Sequence, residues 1–273
     1  MKLSTMSYTF SRQREHFDLQ RMLRLTRELG LDGIDFVTLH GYDPEDLRRM
    51  CDDLGIRVVC HTLIVDLNFP DEESRRPGIE ACKRGLEAAV VLGAPVVMIP
   101  TPAKRGQDST VARANWIAGL KEVAPLAADA GVTLTVENFP GRESPFVTAD
   151  HLLEAVEAVP GLKITFDNGN AATGEDPVES FARSATYVVH AHFKDWDVRD
   201  EPAEGFRRMM DGRYYRPALI GEGVIDHASC LAVMAKVGYK GYIDVEYEGD
   251  KYDPYEATRR AVDYLRGLEP SLA

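Results

Sequence analysis

The chain has 273 residues, of which 44% are apolar and 28% charged, with a formal net charge of -12. That size and balance suit a soluble protein that buries a large core without disulfides or structural metal. The charge argues against nucleic acid as a partner, because a phosphate backbone would be repelled, and no apolar run approaches the roughly 18–20 residues needed to cross a bilayer.

In chain order, the segment to about Ser7 reads as a first strand, and its apolar run is too short and broken for a signal peptide. A helix from about Asp18 shows an apolar face of Leu19, Met22, Leu23, Leu25 and Leu29, with Gly30 as its stop. Gly33–Val37 is a short strand. Asp43-Pro44-Glu45-Asp46 supplies an N-cap, a proline at the first helical position and an acidic first turn. That helix closes at Leu54-Gly55. The third strand, Ile56–His61, leads into a loop with Asp66, Asn68 and Pro70, and the next helix is expected from about Gly78 to Leu92.

Pro95–Ile99 is the fourth strand, and a helix from near Ser109 to Ala130 ends on Gly131. The fifth strand, Val132–Asn138, carries Glu137, and the sixth, Leu162–Asp167, ends on Asp167. Asp176-Pro177 and Asp253-Pro254 repeat the capping grammar of Asp43-Pro44. The seventh strand lies in Tyr187–Trp196 and the eighth, Tyr242–Glu246, ends on Glu246.

Eight strand-like and eight helix-like segments alternate, which predicts a parallel sheet closed into a (β/α)8 TIM barrel as a single domain over 1–273. No Gly-x-Gly-x-x-Gly follows the first strand, so a dinucleotide-binding open sheet is not expected. The uneven stretch is 195–222, with Arg199, Arg207, Arg208, Arg213 and Arg216; it reads as an active-site lid or an oligomer contact. Cys51, Cys60, Cys82 and Cys230 form no Cys-x-x-Cys pair, which points to a reducing cytoplasm.

Strand phase organises the chemistry. In the seventh strand Val189, Ala191 and Phe193 face one way and His190, His192 and Lys194 the other, which suits a barrel interior near its ligand-binding end. Catalytic groups in such barrels sit at the C-terminal strand ends, where Glu137, Asp167, His192 and Glu246 fall on four successive strands. Packed together without a cation, the carboxylates would repel strongly. Three carboxylates and an imidazole suit Mn²⁺ foremost, with Mg²⁺, Co²⁺, Fe²⁺ or Zn²⁺ as alternatives.

Val-Glu-Asn138, Phe-Asp-Asn-Gly169, His-Ala-His-Phe-Lys-Asp195, Ile-Gly-Glu-Gly-Val-Ile-Asp226 and Gly-Tyr-Ile-Asp-Val-Glu246 resemble the xylose isomerase-like barrel superfamily, the sugar phosphate isomerase/epimerase group. The similarity covers essentially the whole chain. It implies the same metal set, Glu137, Asp167, His192 and Glu246, with Glu137 and Glu246 also exchanging protons on opposite faces of a substrate carbon. The implied activity is isomerisation or epimerisation of a ketose or related polyol through an enediolate stabilised by the ion's charge. The alternative is a lyase of the inosose dehydratase or 3-dehydroshikimate dehydratase type, in which the intermediate expels a β-hydroxyl. An abasic-site endonuclease shares the architecture, but it needs more histidines than the seven present and suits the acidic charge poorly.

Four residues are expected at the substrate. Lys194 polarises a carbonyl or binds an anionic group, unless it pairs with Asp195 or Asp167. His61 reaches a substrate hydroxyl or is structural. Asn170 stands where some ketose epimerases carry a substrate-binding histidine. Trp196, like Trp116, lines the pocket or packs. His190, one pleat deeper than His192, reads as a core histidine with a satisfied hydrogen bond. A homo-oligomer that takes a small-molecule sugar or polyol, without nucleic acid or membrane, completes the expectation.

Overall fold

Residues 1–269 are described in a computed structural model of the chain. The barrel strands are β1 (Leu3–Met6), β2 (Gly33–Val37), β3 (Arg57–Thr62), β4 (Val96–Ile99), β5 (Thr133–Glu137), β6 (Lys163–Asp167), β7 (Val188–Phe193) and, later in the chain, β11 (Ile243–Val245). They close in the order β1-β11-β7-β6-β5-β4-β3-β2, every pair parallel. A three-stranded antiparallel ribbon, β8 (Asp195–Arg199), β9 (Arg207–Arg208) and β10 (Tyr214–Ala218), follows β7 in the order β8-β10-β9.

The helices are α1 (Ser7–Ser11), α2 (Leu19–Glu28), α3 (Pro44–Leu54), α4 (Glu72–Leu92), α5 (Ser109–Asp129), α6 (Ala149–Ala158), α7 (Asn168–Ala171), α8 (Pro177–Ser184), α9 (His227–Lys236) and α10 (Pro254–Leu268). The Asp-Pro starts work as read: the carboxylates of Asp43, Asp176 and Asp253 accept backbone N–H groups in the first turns of α3, α8 and α10. Gly55 takes φ 66° behind α3, a left-handed conformation that favours glycine.

Side-chain period two divides each strand between two layers. Ile34, Phe36, Ile164, Phe166, Ala191 and Phe193 join the apolar layer between sheet and helices. The other phase fills the interior. Met6, Val37, Cys60 and Met98 form a small apolar cluster there. Polar partners fill much of the rest: Thr135 and Thr165 share a hydrogen bond of 2.8 Å, and Thr62 donates to Asp35 at 2.8 Å.

The structure adds detail to three expectations. The helix expected from Gly78 begins at Glu72, because Asp71 caps Ser74 and buried Arg75 anchors the first turns to Glu122 and the Phe69 carbonyl, so Pro77 is carried inside α4. The uneven 195–222 stretch, expected as a lid or an oligomer contact, carries the three short strands of the β8-β10-β9 ribbon. Strict alternation is broken by the short helices α1 and α7, each following directly on a strand end.

Candidate metal centre

Glu137 and Asp167 are the last residues of β5 and β6, His192 lies in β7, and Glu246 follows β11 directly. Barrel closure brings one donor atom from each of the four within 4.8 Å of all the others, and all four residues are buried. His192 Nδ1 lies 2.7 Å from Glu137 Oε1 and 4.0 Å from Glu246 Oε2. The strand ends are pinned by Asn138, whose amide donates to the Asp167 carbonyl at 2.7 Å while its Oδ1 accepts from the Asp167 N–H at 2.8 Å. The Asn170 N–H donates to Asp167 Oδ1 at 2.7 Å, leaving Oδ2 to face the other donors.

Lys194 continues the interior phase of β7. Its Nζ lies 3.1 Å from Asp167 Oδ2, 3.1 Å from Glu246 Oε2 and 3.0 Å from Glu248 Oε1. The pairing with Asp167 foreseen as an alternative is present; Asp195 instead serves the ribbon. Asp167 Oδ2 and Glu246 Oε2 nevertheless make no hydrogen bond, because the ammonium, though 3.1 Å from each, is directed at Glu248 instead. Buried acceptors without a partner are costly, and three carboxylates with one imidazole are ordinary ligands for a divalent cation. The residues therefore fit the ion that the sequence implied.

The electrostatics reflect crowding. Burial pushes Asp167 up to about 6, against the pull of Lys194. Burial also raises Glu246 well above the usual carboxylate range. For His192 burial acts downward, but Glu137 and the other carboxylates prevail and push it up to about 10. Lys194 behaves alike: desolvation opposes its charge, and the surrounding carboxylates hold it protonated.

Beneath the donors lies a polar floor that sequence reasoning missed. His190 Nε2 is 2.9 Å from Asp244 Oδ2, so the expected satisfied core histidine is found. His192 Nε2 is 3.5 Å from Asp244 and 3.8 Å from Asp35. The available signal was phase: Asp35 and Asp244 stand mid-strand in the apolar runs Gly-Ile-Asp-Phe-Val and Ile-Asp-Val.

A cavity of about 200 Å³ opens over the donors, lined among others by Tyr8, Phe139, Asn170, Lys194, Glu246 and Glu248. Of the residues expected at a substrate, Lys194 and Asn170 line this cavity. His61 and Trp196 do not line it. His61 alternates with the interior residues Cys60 and Thr62, and its Nδ1 is 2.8 Å from the Phe36 carbonyl, on the outer face of the sheet. Trp196 is buried and donates Nε1 to the Gly169 carbonyl at 2.7 Å, and Trp116 donates to the Pro102 carbonyl at 3.2 Å; both indoles pack the scaffold. A larger depression of about 460 Å³, lined by Met1, Lys2 and Met234, contains none of the donors.

A closed parallel barrel with acidic residues and a histidine gathered at the C-terminal strand ends defines a class of small-molecule enzyme scaffold. Residues 23–268 match the family model described as xylose isomerase-like TIM barrel, and the chain belongs to that family. It is 33% identical over 148 residues to the rhizopine catabolism protein MocC of Rhizobium meliloti, a match that takes in 51% of this chain and 44% of that protein. An inosose dehydratase of Geobacillus kaustophilus is 25% identical over 281 residues, covering 93% of this chain and 88% of its own. The L-ribulose-5-phosphate 3-epimerase UlaE of Salmonella paratyphi C is 24% identical over 268 residues, with 89% and 87% covered. Among solved structures, the IolI protein with a bound zinc atom superposes with a TM-score of 0.80 at 19% identity, covering 100% of this chain and 98% of that one. The relatives thus include both epimerases and dehydratases of sugar-like compounds. Among the described residues no helix is long and apolar enough to cross a membrane.

Proposed function

We propose that the protein is a divalent-metal-dependent isomerase or epimerase of a ketose or related polyol. The observation that supports this most is the convergence of Glu137, Asp167, His192 and Glu246 within 4.8 Å, with Glu137 and Glu246 lining a cavity of about 200 Å³. The four residues would hold the ion, with Mn²⁺ our first choice and Zn²⁺ next. A divalent ion bound there supplies Lewis-acid polarisation of a carbonyl and its adjacent hydroxyl, which acidifies the neighbouring C–H.

The chain's own groups do the rest. Glu137 and Glu246 come from strands on opposite sides of β6 and β7, and β7 places His192 between them. Each carboxylate keeps an oxygen for proton transfer, so that one removes a proton and the other returns one from the opposite face. The Lys194 ammonium, fixed by Glu248, faces the cavity and can stabilise a developing oxyanion. Asn170 is held by its donation to the Asn138 carbonyl at 2.9 Å, and its buried Oδ1 has no partner and is available to a substrate hydroxyl. The apolar wall of Met6, Val37 and Met98 limits water.

A lyase on the same donors is the second reading, favoured by the long match to the inosose dehydratase. It begins with the same proton abstraction, and Lys194 would then assist loss of a β-hydroxyl. Incubating the metal-loaded protein with a ketose and, separately, with a 2-keto-polyol separates the two. Epimer formation supports the first reading, and water loss with new enone absorbance supports the second. All four cysteines are free and buried, which suits a reducing compartment, and we place the enzyme in the cytoplasm, as a homo-oligomer.

A further inference from the structure

A second cavity, of about 360 Å³, adjoins the one over the metal donors: Tyr8, Phe139 and Glu248 line both. Its distinguishing feature is three arginines. Arg12 comes from the turn after α1, Arg207 from β9 and Arg216 from β10, so barrel and ribbon both contribute to its wall. Arg12 donates one Nη1 bond to the Gly249 carbonyl at 3.3 Å. Arg216 donates Nη2 to Asp197 at 2.6 Å, and its guanidinium lies 4.6 Å from the Phe206 ring centroid. Arg207 has no ion pair among the described residues. Each guanidinium carries five donors, so most of them remain available.

The acidic groups of this wall are Glu248 and Asp250. Glu248 is turned toward the metal side, its carboxylate paired with the Lys194 ammonium at 3.0 Å. With Arg216 paired to Asp197 and Glu248 to Lys194, Arg12 and Arg207 face Asp250 alone, so the recess is net positive in a chain of net charge -12. Such a reversal in a concave site focuses potential on an anionic ligand, and the planar guanidinium suits phosphate or carboxylate oxygens. A neutral polyol needs neither.

We propose that Arg12, Arg207 and Arg216 form a subsite for the anionic end, phosphate or carboxylate, of a sugar substrate whose reacting end sits over Glu137 and Glu246. The substrate half of this statement rests on the function proposed above; the anion-binding half does not. The first test is calorimetry on metal-free protein at low salt, with inorganic phosphate and then gluconate as probes, so that neither can bind an ion in the donor cluster. The expected result is saturable binding that weakens as salt is added, and by at least about tenfold in Arg207→Ala. The remote surface variant Arg84→Ala should bind like the parent. Preference for phosphate over gluconate identifies a phosphorylated sugar, and the reverse a sugar acid. Absence of binding by both probes, or equal binding by the parent and Arg207→Ala, overturns the subsite.

The second test compares kcat/KM for a free ketose, its terminal phosphate and the corresponding keto acid with metal-loaded protein. One anionic form should exceed the free ketose by at least about tenfold, and the ratio should fall toward one in Arg207→Ala, with part of it restored in Arg207→Lys. Equal turnover of all three forms overturns the subsite while sustaining the ketose reading. Arg207-dependent anion binding without turnover of any ketose sustains the subsite and removes that reading.

Discussion

The Asp195 carboxylate accepts the Gly223 N–H at 3.0 Å, and that bond ties the start of the ribbon segment to its end. The same carboxylate accepts from Trp196 and Ile225 through Oδ1 and from Gly221 through Oδ2, all at 2.9–3.0 Å. A Cβ on Gly223 would stand 2.2 Å from Asp195 Oδ1, so only glycine permits this approach. Gly223→Ala and Asp195→Asn should therefore each destabilise by about 2–3 kcal/mol, through overpacking or through N–H groups facing an amide donor. Burial acts to raise the Asp195 carboxyl, but the His227 ring 3.3 Å away and the backbone N–H groups hold it below its ordinary value. A depressed folded pKa adds stability above the unfolded value of about 3.9 that is lost as pH falls through the folded one. Denaturant melts of parent and Asp195→Asn should differ at pH 6 and converge toward pH 3; a constant difference would contradict this.

Metal affinity should rise with pH. His192, at about 10, and Asp167, at about 6, are held in protonated or partly protonated states by neighbours and burial. An ion requires the imidazole lone pair and ionised carboxylates, so loading must release protons. Titration calorimetry with Mn²⁺ at pH 6, 7 and 8, in buffers of different ionisation enthalpy, should show tighter binding at higher pH and net proton release. A flat affinity without release would mean that the donors are already in ligand form.

Replacing either proposed base should halt one half of the reaction. Glu137→Gln and Glu246→Gln should each lower kcat by about 10²–10⁴. If the two serve opposite faces, each variant should still exchange solvent deuterium into one epimer and not the other. Loss of exchange from both epimers in both variants would argue for a single base.

Gly169→Ala should act on the site at one remove. A Cβ there would lie 2.3 Å from Lys194 Cγ and 2.9 Å from Trp196 Nε1. The lysine stem must shift away from Asp167 and Glu246, with a stability cost of about 1–3 kcal/mol. A variant that keeps the parent's melting temperature and activity would show that Lys194 has slack the packing does not suggest.

Asp244→Asn probes the floor. The amide still reaches His190 but withdraws the charge that faces His192 Nε2 at 3.5 Å. Second-layer partners of this kind are worth about 10–100-fold in metal affinity, so the Mn²⁺ dissociation constant should rise by that factor with the fold retained on circular dichroism. Unchanged affinity would assign Asp244 to its bonds with His190 and Ser4.

Periodicity and capping made the barrel legible. Asp43-Pro44, Asp176-Pro177 and Asp253-Pro254 mark helix starts because proline and an N-terminal carboxylate act through the local backbone, whatever the rest of the chain does. The same local logic put Glu137, Asp167, His192 and Glu246 at strand ends. It also set His190 and His192 on the inner face, since side chains alternate along any strand.

Only the closed barrel decided which of these groups meet. Of the two roles open to His61, the structure shows the structural one, a hydrogen bond to the Phe36 carbonyl on the neighbouring strand, whose register shift between Ile34 and Asp35 is a property of paired strands. Trp196 turned inward to cap Gly169, and Asp35 and Asp244 met under His192, through contacts between strands far apart in sequence. Local propensity acts over a few residues, so sequence by itself determined the elements and the faces of their strands. Distances between donors depend on closure, stagger and register, which arise when the eight strands pair, and only the tertiary structure could decide them.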